Sequence, residues 1–437
     1  MKKLLLSLSF IALSTVANAQ WTSQATGFAA ASRGISEVKI VDANTVWAVA
    51  YDGSGGGANV QEFTRTTNGG TSWTPGIIDV GDNTLRITNI SPVSATTAWV
   101  GVFNNTDGFG GVFQTTDGGV TWAQQNPTAY TTAAESWLNI VHFFNATTGI
   151  SMGDPEGGEF EIYRTTDAGA NWTRVPAASI PNPLSGEYGY NGGYSFAGGN
   201  MWFTTNKGRL YKTTDLGVTW TVAQAPLTDF GSAAQSGSVD FSDATNGCLL
   251  KTVGTTYTFY TTTNGAATWS AAAPFSGTRR ILTYVPGTTT IVATSQAAPV
   301  GTSISTNNGA TWTEVETAAQ RGAAAFLNLT TGWAAGFSAD PFTDGIYKLT
   351  GPLGNSSFEA TSNFKVYPNP ADNNVTISVT NIESYQLSVT DITGKVVLTK
   401  SLSGIENTLD VSSLSSGAYF FTLNSDNKKE TVKIIKN

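Results

Sequence analysis

The sequence predicts an all-β protein in which a seven-bladed β-propeller precedes a small β-sandwich. Three observations lead to this prediction. An eight-residue box recurs six times between Thr66 and Trp312, short runs of β-forming residues fill the intervals, and the pattern stops near Thr350, after which a different succession of strands begins. A repeat of this length indicates a solenoid, a propeller or an array, and four strands in each repeat are the content of one propeller blade.

The first 19 residues have the pattern of a secretory signal peptide. Two lysines precede an apolar run from Leu4 to Val16, and the tripeptide Ala-Asn-Ala, a small-x-small cleavage site, ends at Ala19. The apolar run is too short to span a bilayer. We therefore expect residues 1–19 to be removed and the remainder to be exported, with no later transmembrane segment.

The repeated box has Thr or Ser at its first position, Asp or Asn at its third, Gly near its fifth and Trp at its eighth, as in TTDGGVTW. An Asp or Asn side chain accepts hydrogen bonds from turn N–H groups, and Gly adopts a positive φ at little cost. Because Asn replaces Asp in three boxes, a catalytic carboxylate or a strong metal ligand is excluded there, and we predict a turn-capping role. The third and eighth positions of the boxes are Asn68 and Trp73, Asp117 and Trp122, Asp167 and Trp172, Asp215 and Trp220, Asn264 and Trp269, and Asn307 and Trp312.

The blade count follows from the two ends of the repeat region. Residues 331–350 supply the second and third strands of a unit but no box, and Trp21 lies about one repeat before Trp73, in a segment similar to the strand after each box. We predict that this N-terminal strand supplies the fourth strand of the last blade. Such a closure yields seven blades over residues 20–350 and leaves no open edge between the first blade and the last.

The box S/T-x-D/N-x-G-x-T-W resembles the Asp-box, or BNR repeat, of sialidases, sortilin-type receptors, xyloglucanases and photosystem II assembly factors. In those families the box is a structural turn at the blade periphery, away from the active centre. The resemblance covers Thr66 to Trp312 and implies a propeller with Asp-box hairpins. It does not select a function, because one fold hosts many activities.

A polar linker at residues 351–363 leads to a C-terminal module at residues 364–437. The module contains YPNP, DITGKVV and LDVSSLSSGAYFFTL, and about seven short strands that predict an Ig-like β-sandwich. These motifs resemble, over the whole module, the type A C-terminal sorting domain of type IX secretion substrates. The resemblance implies a Gram-negative bacterium, passage through the periplasm and recognition by the type IX secretion machinery. After removal of the domain, the cargo would be released or held on the cell surface.

Composition excludes several classes of function. The formal net charge is −8 and no basic stripe is present, so a nucleic-acid partner is excluded. The single cysteine, Cys248, lies in an apolar strand pattern and is interpreted as a buried hydrophobic residue. The single histidine, His142, is interpreted as a core or channel-facing residue, and one histidine leaves almost no material for a zinc site or a Ser-His-Asp triad. We expect no cofactor and no metal, with calcium binding left open.

The predicted site lies on the face opposite the boxes, where the loops between second and third strands meet the loops that enter the next blade. Asp154 and Glu156 lie in one such loop, and Glu187, Tyr188 and Tyr190 lie in the segment that enters the fourth blade. Two carboxylates with tyrosines at a channel mouth suit glycoside hydrolysis. The alternative to a catalytic role is that these acids are solvated and form ion pairs with arginines. Four arginines precede inner strands and are candidates for the same mouth: Arg33, Arg86, Arg280 and Arg321.

Three functions remain open. The first is a secreted or surface-displayed propeller that binds a glycan or a protein without catalysis. The second is a sialidase-like or xyloglucanase-like glycoside hydrolase, but SRGISEV at residues 32–38 is not the arginine motif of sialidases, and xyloglucanases usually have two propellers. The third is a cell-envelope assembly factor, by likeness to the photosystem factors. The sequence does not identify the ligand.

Overall fold

The computed structural model describes residues 20–57, 59–125, 129–132, 135–317, 319–338, 344–353, 364–379, 384–425 and 428–437. The signal peptide predicted at residues 1–19 and most of the linker predicted at 351–363 lie outside the described residues. The chain divides into two compact units between residues 354 and 355. No helix of the described part is long and apolar enough to cross a membrane.

The first unit consists almost entirely of strands, and its described residues include one short helical turn, Ala177–Ser179. The strands of its first half are β1 (Trp21–Ala25), β2 (Arg33–Ile40), β3 (Val46–Asp52), β4 (Glu62–Thr66), β5 (Thr74–Ile77), β6 (Arg86–Pro92), β7 (Ala98–Phe103), β8 (Gly110–Thr115), β9 (Ala123–Gln125), β10 (Leu138–Phe143), β11 (Gly149–Glu156), β12 (Glu159–Thr165) and β13 (Thr173–Arg174). Those of its second half are β14 (Gly189–Ala197), β15 (Asn200–Thr205), β16 (Arg209–Thr213), β17 (Thr221–Gln224), β18 (Ser236–Phe241), β19 (Gly247–Val253), β20 (Thr256–Thr262), β21 (Ala273–Pro274), β22 (Ile281–Tyr284), β23 (Ile291–Ser295), β24 (Gly301–Ser305), β25 (Thr313–Glu316), β26 (Ala324–Asn328), β27 (Thr331–Ala335), β28 (Phe337–Ser338) and β29 (Gly345–Leu349).

In the described part of the chain these strands form seven antiparallel sheets, and each sheet is one blade. Six sheets have four strands, and the sheet of blade 1 has a fifth strand, β28. Blades 1 to 6 are β2–β5, β6–β9, β10–β13, β14–β17, β18–β21 and β22–β25, with the first strand of each innermost. Blade 7 combines β26, β27 and β29 with β1. The short β28 pairs with β2 and so joins blade 7 to blade 1. The predicted seven-bladed propeller is confirmed.

The first strand closes the ring of blades. β1 pairs antiparallel with β29, from Trp21 opposite Leu349 to Ala25 opposite Gly345. Blade 7 therefore contains strands from both ends of the propeller, as predicted from the sequence, and the outer edge of its third strand is covered.

Gln24, on β1, ties blade 7 to the box of blade 1. Its Oε1 accepts hydrogen bonds from Trp73 Nε1 in that box (3.0 Å) and from Trp333 Nε1 on β27 (3.3 Å). Its Nε2 donates to the Gly70 carbonyl (2.6 Å). One side chain thus satisfies two buried indole N–H groups and holds the closing strand against the neighbouring blade.

Further links between blades come from polar side chains on the third strands. Lys348 Nζ, in blade 7, donates to the Gly69 carbonyl of blade 1 (2.6 Å) and lies 5.6 Å from the ring centre of Trp333. Thr261 and Ile304 occupy this register in blades 5 and 6, where the side chains are too short or apolar to reach across. Equivalent links to a backbone carbonyl of the next blade join Arg65 to Ala95, Gln114 to Ala168, Arg164 to Leu216 and Lys212 to Ala244.

The boxes have the hydrogen bonds of capped turns. Asp117 Oδ1 accepts from the N–H groups of Val120 and Thr121 (both 3.0 Å), and Oδ2 accepts from the Thr121 hydroxyl (2.6 Å). The bond from that hydroxyl, with the backbone bonds, holds the pKa of Asp117 well below its usual range. Asn68 accepts from the Ser72 N–H in the same way (3.0 Å), and its Nδ2 donates to Ser72 Oγ (2.9 Å). Because a hydroxyl can donate or accept, the turn accommodates Asp and Asn equally.

The second unit is a small β-sandwich. Its described strands are β30 (Phe364–Tyr367), β31 (Asn374–Val379), β32 (Ser384–Asp391), β33 (Val396–Ser403), β34 (Glu406–Asp410), β35 (Gly417–Ser425) and β36 (Lys428–Lys436). They form one sheet in the order β30-β31-β34 and another in the order β33-β32-β35-β36. Side chains from both sheets, such as Phe364, Ile377, Leu387 and Phe421, are buried in one core. The predicted sandwich is confirmed.

We predict that Gln24→Ala destabilises the propeller by about 1–3 kcal/mol, because it leaves the buried indole N–H groups of Trp73 and Trp333 without an acceptor. Thermal unfolding followed by tryptophan fluorescence measures the change. Thr22→Ala, at an exposed position of the same strand, is the control and should change stability by less than about 0.5 kcal/mol. Equal unfolding temperatures for the two variants would contradict this role of Gln24.

Candidate functional site

The innermost strands surround the axis of the propeller. Each contacts its neighbours in the order β2, β6, β10, β14, β18, β22 and β26, and β26 in turn contacts β2. Because side chains alternate along a strand, every second residue faces the axis. In blade 1, Lys39 on the inner strand pairs with Trp47 on the second strand. The residues at the same register on the seven inner strands form a ring around the axis: Lys39, Ser91, His142, Ser195, Asp240, Thr283 and Ala325.

This ring lines a central cavity of about 580 Å³. Ligand sites commonly have volumes of about 300–1,000 Å³. The cavity lies towards the boxes: Asn145 and Ala146, in the loop after β10, also line it, and the adjacent Thr147 carbonyl accepts a hydrogen bond from Ala168 of a box. The sequence predicted a site on the opposite face, and none of the nine residues proposed for that site lines this cavity.

The inner strand of blade 4 bounds the other end of the cavity. β14 loses its regular pairing with β15 between Gly189 and Tyr194, and it contacts β6, two blades away. Gly192 has a φ of 63° and lies against the Thr88 carbonyl, which a Cβ would approach to 3.4 Å. Glycine permits this backbone conformation at little cost. The bulged segment therefore crosses the axis, so the cavity has a floor.

Four polar side chains meet at this floor. Tyr194 Oη accepts hydrogen bonds from Lys39 Nζ (2.9 Å) and Asn89 Nδ2 (3.2 Å). Lys39 Nζ also forms an ion pair with Glu37 Oε1 (2.8 Å). Burial opposes the charge of Lys39, but Glu37 and Tyr194 outweigh it and raise its pKa, while burial raises the pKa of Tyr194. The ion pair is therefore maintained, and the floor carries no net charge.

Several axis-facing side chains also hold the inner strand of the next blade. Each accepts a hydrogen bond from a backbone N–H group of that strand, which satisfies a donor on the neighbouring sheet. The bonds run from Ile90 to Glu37 Oε2 (2.9 Å), from Phe143 to Ser91 Oγ (2.8 Å), from Phe241 to Ser195 Oγ (3.1 Å) and from Tyr284 to Asp240 Oδ2 (2.7 Å). They connect blades 1 to 2, 2 to 3, 4 to 5 and 5 to 6.

Asp240 uses both carboxylate oxygens in these links, because its Oδ1 accepts from the Ser195 hydroxyl (2.9 Å). Burial raises the pKa of Asp240 to about 6, although its hydrogen bonds and the charge of Lys39 act in the opposite direction. The residue therefore changes its charge near pH 6 while it holds the inner strands of three blades together.

His142 occupies the ring position of blade 3. Its side chain is 4% exposed, and its ring centre lies 4.5 Å from that of Phe196, 4.7 Å from that of Phe144 and 5.7 Å from that of Tyr194. Its Nε2 is buried and has no hydrogen-bond partner among the described residues. Burial, with a contribution from the charge of Lys39, lowers the pKa of His142 to about 3. The imidazole is therefore neutral at physiological pH.

Two of the predicted carboxylates form ion pairs close to their own positions in the chain. Glu187 is buried, its Oε2 pairs with Arg209 Nη1 (2.9 Å), and its Oε1 accepts from the Thr205 hydroxyl (2.6 Å). Glu156 Oε2 pairs with Arg174 Nη1 (2.6 Å). Neither carboxylate is free to face a substrate in this arrangement.

Asp154 lies within β11, and its Oδ1 accepts from Asn139 Nδ2 (2.6 Å) and from the Gly189 N–H (2.9 Å). Burial raises its pKa to about 6. Asp154 thus contacts the segment that enters blade 4. Tyr190, on β14, donates its hydroxyl to Asp229 Oδ1 (2.5 Å), and Tyr188 beside it is 44% exposed.

The four predicted arginines contact separate partners, so the structure does not bring them into one cluster. Arg86 is the exposed first residue of β6. The contacts of the others are Arg33 with Glu62 (2.9 and 3.1 Å), Arg280 over the ring of Tyr257 (3.8 Å), and Arg321 with Glu316 (3.0 Å) and over the ring of Tyr347 (3.7 Å).

Sequence reasoning missed the polar lining of the cavity, although a signal was present. Lys39 and Asp240 interrupt otherwise apolar inner strands, in SEVKIV and GSVDFS. A charged residue inside such a strand points either into a core, where burial is costly, or towards an axis shared with other blades. Among the described residues, no group of three or more His, Cys, Asp or Glu side chains is placed to hold a metal ion.

Two family models match the chain. The model described as photosynthesis system II assembly factor YCF48 matches residues 104–340, which is more than half of the chain. The model described as secretion system C-terminal sorting domain matches residues 365–437. No curated protein matches the chain.

Solved structures with similar folds include two of YCF48. A structure of YCF48 bound to D1 peptide is 14% identical with a TM-score of 0.50, and the match covers 76% of this chain and 97% of that one. For YCF48 from Cyanidioschyzon merolae the identity is 15%, the TM-score 0.48 and the coverage 77% and 99%. PorZ, a surface component of the type-IX secretion system of Porphyromonas gingivalis, is 12% identical with a TM-score of 0.46, and the coverage is 92% and 59%. At such identities the likeness establishes the fold alone.

We predict that Asp240→Asn stabilises the protein at pH 8 by roughly 2–3 kcal/mol more than at pH 4. The folded-state pKa of about 6 lies above the ordinary value of 3.8, so protonated Asp240 favours folding. That stability is complete below pH 3.8 and is lost as the pH rises through 6. Asparagine keeps the acceptor for the Tyr284 N–H without the buried charge.

Thermal unfolding of both proteins across this pH range measures the difference. Asp79→Asn removes the same charge from an exposed loop and serves as the control. A gain for Asp240→Asn that does not vary with pH would show that burial of the charged form is not what the substitution relieves.

Proposed function

The chain belongs to the family of the photosynthesis system II assembly factor YCF48, and from that premise we propose that it is an exported, non-catalytic propeller that binds a segment of a protein ligand in its central cavity. The observation that carries the proposal is the cavity of about 580 Å³ on the propeller axis, with its aromatic and aliphatic wall and its polar floor. The usual form of a binding site is a concave pocket that combines apolar surface with a few convergent polar groups.

A protein ligand suits this lining better than a glycan does. Phe144, Phe196 and Leu327 line the upper part of the cavity, and Phe196 and Leu327 are 44% and 39% exposed. A glycan carries hydroxyl groups around the edge of each sugar ring, and those that met this wall would lack partners. One solved YCF48 structure contains a D1 peptide, which is consistent with peptide binding as one use of this fold.

The contacts of Glu187, Glu156 and Asp240 favour a structural role over hydrolysis. A glycosidase needs two carboxyl groups on either side of one bond, one of them able to donate a proton. Glu187 is buried in its ion pair with Arg209, and Glu156 is paired with Arg174. Asp240, which lines the cavity, uses both oxygens to connect blades. Catalysis by any of these groups would require these contacts to be broken.

The C-terminal match places the chain among proteins that a sorting domain directs to the cell surface or the medium. We propose that residues 1–19 first direct it to the periplasm and that the type IX secretion machinery then recognises residues 364–437. The binding propeller would act outside the cell, either released or attached to its surface.

We predict that the purified full chain enriches a set of peptides from a displayed random library and releases no reducing ends from a panel of complex polysaccharides. Ala325→Phe, which fills the cavity, and Phe196→Ala, which removes part of its wall, should each weaken peptide binding by about tenfold or more. Tyr188→Ala, at an exposed position on the opposite face, is the control and should leave the affinity unchanged.

Two results would contradict this proposal. Peptide affinities that are equal in the parental chain and in both cavity variants would place the binding elsewhere. Release of reducing ends that is abolished by Glu187→Gln would show that the protein is a glycosidase.

We predict that deletion of residues 365–437 retains the propeller in the periplasm, while the full chain reaches the cell surface or the medium, because the sorting domain carries the export signal. Cell fractionation and mass spectrometry in a host with type IX secretion measure the distribution. The control is the same host without that secretion system, in which both chains should remain in the periplasm. A full chain that stays in the periplasm of the competent host would contradict the prediction.

A further inference from the structure

The cavity changes character with depth. Two positions past the ring, a residue again faces the axis. In blades 1, 2, 3 and 7 these residues are Val41, Val93, Phe144 and Leu327, and all four line the cavity. The ring itself and the floor around Tyr194 carry the polar groups. A ligand group that fills this space is therefore apolar along its length and polar at its inner end.

Blade 3 differs from its neighbours in what its ring residue does. Ser91, Ser195 and Asp240, at the same register, accept an N–H from the next inner strand. After blade 3 the next inner strand is the bulged β14, and the ring residue is His142, whose buried Nε2 has no partner among the described residues. An unpaired buried nitrogen costs free energy, which a hydrogen-bonding ligand would recover.

Phe196 covers the imidazole of His142, and its position there has a structural cause. Phe143 and Phe241 stack on Trp99 and Trp202 of the preceding blades, with ring centres 3.4 and 3.8 Å apart. Phe196 occupies the same register in blade 4, but Ile150 takes the place of the tryptophan in blade 3. Phe196 consequently lacks an indole to stack on and lies against His142, 44% exposed. Phe196 is therefore the side chain that must turn outward for a ligand group to reach His142.

The charged side chains that line the cavity already have partners, so His142 is the group left to bond a ligand. Lys39 is already paired with Glu37, and Asp240 is engaged with Ser195 and Tyr284. The imidazole of His142 is neutral, so one ring nitrogen donates and the other accepts. A hydroxyl group meets either nitrogen, because it can donate or accept a hydrogen bond.

We propose that the central cavity takes a tyrosine side chain of the protein ligand, with its ring against Phe144 and Phe196 and its hydroxyl bonded to His142 Nε2. This inference rests on the proposed function and names the group that the cavity selects. His142 is then the residue that distinguishes tyrosine from phenylalanine, because a site built to bond a hydroxyl group rejects the analogue that lacks it.

The test is a double-mutant cycle. One substitution is His142→Phe in the full chain, and the other replaces tyrosine by phenylalanine in the peptides that the library selection yields. We expect these peptides to share a tyrosine. Its replacement by phenylalanine should weaken binding to the parental chain by tenfold or more, and binding to the His142→Phe chain by less than twofold. His142→Gln, which keeps a hydrogen-bonding group, should restore part of the preference, and Tyr188→Ala should leave it unchanged.

A spectroscopic measurement supplies a second readout. His142 is the only histidine of the chain, so in untagged protein its imidazole nitrogen signals are unique in an NMR spectrum. They should shift when the tyrosine peptide binds, and shift less with the phenylalanine peptide. This readout does not depend on whether the His142→Phe chain folds.

The outcomes separate this inference from the proposed function. Selected peptides that lose affinity in Ala325→Phe but contain no shared tyrosine would overturn the inference and leave the binding function intact. An equal preference for tyrosine in the parental and His142→Phe chains, or imidazole signals that both peptides shift alike, would do the same. Peptide binding that ignores the cavity variants would overturn both.

Discussion

A ring of sheets is stable only if every sheet buries both of its faces, and this requires the last blade to meet the first. The pairing of β1 with β29 satisfies that requirement, because it gives blade 7 its fourth strand and carries Gln24 to the indole N–H groups of Trp73 and Trp333. Within the closed ring, third-strand side chains reach the next blade and axis-facing acceptors hold the next inner strand.

The polar residues of the inner strands serve two purposes. A polar side chain that faces the axis either accepts an N–H from the next blade, as Ser91 and Ser195 do, or remains available for something else. The bulge of β14 removes the regular partner at the junction of blades 3 and 4, and this junction is also where tryptophan gives way to Ile150. The bulge that forms the floor of the cavity therefore leaves His142 without a strand partner, and Ile150 leaves Phe196 exposed. The site follows from these two departures from the repeat at one junction.

The repeat itself was readable from the sequence, and the site was not. Periodic boxes and the isolated Trp21 were sufficient for the blade count and for the splice of blade 7, because both are properties of spacing along the chain. The lining of the cavity depends on which residues of seven strands, far apart in the sequence, share a register. The bulge at Gly189–Tyr194 cannot be predicted from the alternation of apolar and polar residues. The sequence left open whether loop acids such as Glu187 are free or paired with arginines, since the partner, here Arg209, is set by folding. The charged residues inside inner strands were the usable signal.

The splice of blade 7 has a consequence for the order of events in the cell. β1 is the first strand of the propeller to be synthesised and β29 the last, so β1 has no partner until the whole propeller has been made. Contacts so far apart in the chain form slowly, and unpaired edges are prone to aggregate in the interval. The sorting domain follows β29 in the chain, so it is synthesised only after every strand that the closure needs. A chain that terminates before β29 therefore has neither a closed ring nor a sorting domain.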